Sequence, residues 1–80
     1  MKLIADEWRD YEIKVIPLDA PEVQRTESRR AFYAGARSLF CGIVNMLDPG
    51  SEATQADLGK MDAIQTELDQ FLVDMMRGRA

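Results

Sequence analysis

At 80 residues and 9.1 kDa the chain has material for one domain. A domain of that size buries only about 60% of its unfolded surface, so self-association is a standing expectation. It has no histidine and a single cysteine, Cys41. That excludes serine–histidine and cysteine–histidine nucleophile pairs, histidine metal sites and an intrachain disulfide, and a small domain without disulfides belongs in a reducing cytoplasm. The 10 basic residues against 14 acidic ones leave a net charge of −4 and a pI near 4.6, the wrong sign for general DNA binding. The longest apolar stretch, Leu39 to Val44, is far too short to span a membrane.

Residues 1–16 predict a short leading helix. Ile4, Trp8, Tyr11 and Val15 recur at spacings of 4, 3 and 4, which places them on one face. Pro17 and Pro21 then bracket a linker over residues 17–21, because the residue before a proline is driven out of the helical region. Asp19 stands three residues before Glu22, the spacing of a capping box, and opens the second helix.

That second helix is predicted over residues 20–47. Its apolar stripe is Phe32, Ala36, Leu39, Ile43 and Met46. Asp48-Pro49-Gly50-Ser51 is the predicted break, and Thr54 with Asp57 marks the next helix start. Leu58, Met61, Gln65, Leu68, Leu72 and Met75 follow at spacings of 3, 4, 3, 4 and 3, a heptad-like seam suited to shallow-angle packing. The expected fold is therefore all-α. A short N-terminal helix precedes a long antiparallel helical hairpin over residues 22–77, and the whole is one domain, expected to be oligomeric.

Three features of this layout could carry function. Ala31, Gly35, Ser38, Gly42 and Asn45 form a stripe of small residues. Glycine within a helix costs about 1 kcal/mol against alanine, so two of them call for a reason. Either this face receives another helix of the same chain, or it belongs to an oligomer interface with Leu68, Phe71 and Leu72. The second feature is basic. Arg25, Arg29, Arg30 and Arg37 against Glu27 give +3 over residues 23–47 and leave −7 elsewhere. Arginine suits bidentate phosphate contacts and Tyr33 can stack on a base, so Arg25, Thr26, Arg29, Arg30 and Tyr33 are the candidate ligand-binding residues. The alternative is that Glu67, Asp69 and Asp74 merely neutralise them. The third feature, Asp57, Asp62, Glu67, Asp69 and Asp74, reads as a solvated helix face. Cys41 reads as a small buried hydrophobe, and Trp8 and Tyr11 as core anchors. Neither a catalytic pair nor a metal or cofactor site is expected.

Trp8, Tyr11, Pro17, Gln24 and Glu27, the run Arg29-Arg30-Ala31-Phe32-Tyr33-Ala34-Gly35-Ala36, then Thr54, Asp57, Leu58, Glu67, Leu68 and Phe71 resemble a family of small phage and prophage proteins. More distantly, the hairpin resembles the helical-hairpin domain of phage sponges that counter CBASS and Thoeris immunity. That resemblance implies a non-enzymatic homo-oligomer in the host cytoplasm that sequesters a cyclic nucleotide or cyclic ADP-ribose isomer. Two other readings stay open: a protein–protein inhibitor of a host defence complex, in the manner of an anti-CRISPR protein, and a structural or accessory phage protein.

Overall fold

The computed structural model describes residues 1–47, 50 and 52–80, and among them the chain is all-helical. Helix α1 spans Leu3–Val15, α2 spans Glu22–Met46 and α3 spans Gln55–Met76. Much of the predicted break at 48–51 lies outside the described residues. Among the described residues, no helix is long and apolar enough to cross a membrane. The chain divides into two compact units, Met1–Gly42 and Ile43–Ala80.

In the first unit α1 and the N-terminal part of α2 pack against each other. The Trp8 and Phe32 rings meet edge to face at 5.5 Å between centroids, and Tyr11 stacks at 5.9 Å from Trp8 and 5.5 Å from Phe32. Such ring pairs add about 0.5–1.5 kcal/mol beyond the area they bury. Trp8 is 7% exposed, so its assignment as a core anchor holds. Tyr11 takes part in the same cluster, yet one side of it faces solvent.

The leading helix ends differently from its periodicity. Val15 is exposed and Ile16 is buried instead. At Ile16 the backbone turns extended (φ −81°, ψ 124°), so its side chain leaves the helical register and folds inward while Val15 stays outside. The start of α2 also falls later than the sequence suggests. Asp19 lies in a turn closed by the Ala20 amide donating to the Pro17 carbonyl, and the first intrahelical bond runs from the Arg25 amide to Pro21. Pro21, with no amide hydrogen to satisfy, thus occupies the helix entrance and displaces Asp19 from the capping position.

In the second unit, α3 starts as its sequence indicates. Thr54 accepts from the Asp57 amide while the Asp57 carboxylate accepts from the Thr54 amide, a complete capping box. Asp57 is 4% exposed, so it belongs to the helix entrance and not to a solvated carboxylate face. Lys60 donates to the Met46 carbonyl at 2.7 Å, which places a cation on an end carbonyl of α2. At the other end of α3, the Arg79 amide donates to the Asp74 carbonyl and the Gly78 amide to that of Met75. This is a Schellman motif, and Gly78 at φ 74° supplies the left-handed residue it requires.

Candidate functional site

The pairing of α1 with α2 runs in opposite directions. Glu12 meets Arg25 near one end, Trp8 meets Phe32 in the middle, and Leu3 and Ile4 come beside Ala36 and Phe40 at the other end. Beyond the aromatic cluster the two helices leave an open trough of about 700 Å³. Its floor is apolar, formed by Leu3, Ile4, Ala36 and the largely exposed Phe40. Lys2, Arg29 and Arg37 line it as well.

Arg29 and Tyr33 are one turn apart on the same face, with the guanidinium carbon 4.9 Å from the ring centroid. This is cation–π distance. The stacked guanidinium is held in place while its N–H donors remain available, because a ring face accepts charge and no hydrogen bond is spent. Among the described residues of this unit, no carboxylate pairs with Lys2, Arg29 or Arg37. Three cations beside an apolar floor make a site for an anion that also carries a flat or apolar body.

The five sequence-predicted binding residues divide. Arg29 and Tyr33 lie in the trough. Arg25 is engaged within the fold. Its guanidinium pairs with Glu12 at 3.3 Å and donates to the Pro17 carbonyl at 2.6 Å and the Leu18 carbonyl at 3.2 Å, locking α1, the linker and α2 together. Arg30 pairs with Glu27 on the exposed side of α2 at 3.1 Å. Thr26 is half-buried and outside the trough lining. The like charges of Arg25 and Arg29 at i,i+4 are thus relieved by Glu12 on one side and Tyr33 on the other.

Lys2, Leu3 and Ile4 complete the site; the sequence marks Ile4 only as part of the apolar face of α1, and Lys2 and Leu3 not at all. The signal was the Trp8–Phe32 pair: once those rings meet in antiparallel helices, Ile4 must fall beside Ala36 and Lys2 beyond it.

The small-residue stripe lies on the opposite side of α2. Ala31, Gly35, Ser38 and Gly42 are exposed, and no atom stands within 4 Å of where a Cβ would sit on Gly35 or Gly42. The leading helix therefore does not use this face. Cys41 is exposed too, correcting its reading as a buried hydrophobe: its helical angle places it near the small stripe, away from Phe32. Among the described residues no group of three His, Cys, Asp or Glu side chains is close enough to hold a metal ion. No protein family model, curated protein or solved structure significantly matches the chain.

Proposed function

We propose that this chain is a non-catalytic, phage-encoded binding protein that captures a nucleotide-type immune signal, a cyclic nucleotide or cyclic ADP-ribose isomer, in the trough between α1 and α2. The observation that carries the reading is the group of three cations without carboxylate partners, Lys2, Arg29 and Arg37, beside an apolar floor and a fixed Tyr33 ring. Phosphates meet the cations, and a base or ribose lies over Phe40 and Ala36. Burial against an apolar floor strengthens each charge-assisted contact, since less water competes for it. In this reading α2 and α3 form the two arms of an antiparallel hairpin and the working unit is a homo-oligomer in the host cytoplasm.

Calorimetric titration with cyclic di- and trinucleotides tests the proposal. Arg29→Glu with Arg37→Glu abolishes binding if the trough is the site, and leaves it unchanged if the ligand sits elsewhere.

A second reading follows from the openness of the trough and from Phe40, which is 68% exposed. An acidic segment of a host defence protein, apolar on one side, suits the same lining by helix-in-groove docking. Binding to host protein with no response to any nucleotide favours this inhibitor reading.

A further inference from the structure

We infer that Arg25 is a positioning residue for the trough: without lining it, Arg25 acts through Glu12 to set the angle at which α1 crosses α2, and so fixes where Lys2 stands relative to Arg29 and Arg37. That the trough takes an anion rests on the reading above; the geometry of the crossing does not.

Every group involved belongs to the unit Met1–Gly42. Two contacts hold the helices there, and they differ in kind. In the middle, Trp8 and Phe32 meet edge to face at 5.5 Å. Such a contact keeps the helices close, but apolar attraction is non-directional, so the rings by themselves leave α1 free to swing about them.

Toward the linker, Arg25 donates to three acceptors at once. One nitrogen reaches the Glu12 carboxylate at 3.3 Å, and the other reaches the Pro17 carbonyl at 2.6 Å and the Leu18 carbonyl at 3.2 Å. A guanidinium is a rigid planar fork, so acceptors placed around it fix both where Glu12 lies and how the linker leaves α1. Arg30 shows the contrast. Its pair with Glu27 lies three residues along the same helix and orients nothing else.

A pivot and one further fixed point determine a direction. Along α1, Glu12 lies about 6 Å from Trp8 on one side and Lys2 about 9 Å on the other, at the rise of a helix. A swing at Glu12 therefore arrives at Lys2 enlarged by about one half. Lys2, Leu3 and Ile4 come from the α1 side of the trough, whereas Arg29 and Arg37 come from α2. The same swing thus changes the width of the trough and the distance of Lys2 from the two arginines.

Distances between two spin labels test the crossing with no ligand present. In a Cys41→Ser background, Glu7→Cys and Ser38→Cys put one label on an exposed position of each helix. The chain with Arg25 and Glu12 intact is expected to give one narrow distance. Arg25→Ala strips the linker carbonyls as well and can cost the fold, so Glu12→Ala is the deciding variant: it frees α1 and leaves Arg25 on Pro17 and Leu18. It is expected to broaden the distances while circular dichroism shows unchanged helix, and Glu12→Gln, which keeps an acceptor in place, is expected to stay narrow. A narrow, unshifted distance in Glu12→Ala overturns the inference.

Calorimetric titration with inorganic pyrophosphate reads the consequence. Glu12→Ala and Lys2→Ala are each expected to weaken binding about tenfold, the equivalent of one charge-assisted contact, and together no more than either alone. Removing a carboxylate by charge alone would strengthen anion binding, so a loss in Glu12→Ala has the sign that positioning requires. Tighter binding in that variant, or losses that multiply in the double variant, overturn the inference. Absence of pyrophosphate binding by the unmutated chain counts against the anion site, and the spin-label distances still decide for Arg25.

Discussion

Arg29 and Tyr33 form a fixed pair: the guanidinium carbon lies 4.9 Å from the ring centroid across one turn of α2. The pair separates two arginine roles that look alike in the sequence. Arg25, one turn earlier, is held by Glu12 and two backbone carbonyls and serves the fold. Arg29 lines the apolar trough and has no carboxylate partner among the described residues of its unit.

The first prediction concerns Arg25. Arg25→Ala removes an ion pair and leaves the Pro17 and Leu18 carbonyls without this donor. It is expected to lower the stability of the chain by about 1–3 kcal/mol, the range for charge-assisted bonds. Arg30→Ala, which breaks only an exposed pair with Glu27, is expected to cost less than about 1 kcal/mol. Chemical denaturation of the two variants side by side checks this.

A second prediction concerns the start of α3. Thr54→Ala removes the side-chain acceptor for the Asp57 amide and is expected to cost about 0.5–2 kcal/mol. Circular dichroism during thermal unfolding reports it as a lower melting temperature. An unchanged melting temperature means that water satisfies the helix entrance equally well.

Gly35 gives the third. With open space where its Cβ would sit, Gly35→Ala is expected to stabilise α2 by about 1 kcal/mol through helix propensity alone. A loss of stability or of assembly in that variant would show that another chain packs closely on the small-residue face.

Three helices were legible in the sequence because proline, glycine and apolar period act locally. Pro17 and Pro21 end α1 and open α2, and the Thr54–Asp57 box sets the start of α3 whatever surrounds it. The site was only half legible. Arg29 and Tyr33 are neighbours on one helix face and reveal each other by spacing. Lys2, Leu3 and Ile4 reach the trough through the crossing of α1 over α2, which depends on which rings meet. The partition of Arg25 from Arg29 likewise turns on where the Pro17–Leu18 carbonyls point, a property of the folded linker. Cys41 and Val15 were misread for related reasons. One lies on a helix face that the fold leaves uncovered, and the other sits where the helix stops and its period no longer applies.

The fourth prediction tests the central claim, that the trough holds a nucleotide-type anion. The most direct measurement is the thermal stability of the unmutated chain and of Arg29→Glu with Arg37→Glu, each with and without a panel of cyclic di- and trinucleotides and cyclic ADP-ribose isomers. A ligand at 100 times its Kd adds about 2.7 kcal/mol to the folded state. The account predicts that gain for one member of the panel with the unmutated chain and none with the double variant, which itself stays helical and assembled. An equal gain in both proteins, or no gain with any member of the panel, would contradict it.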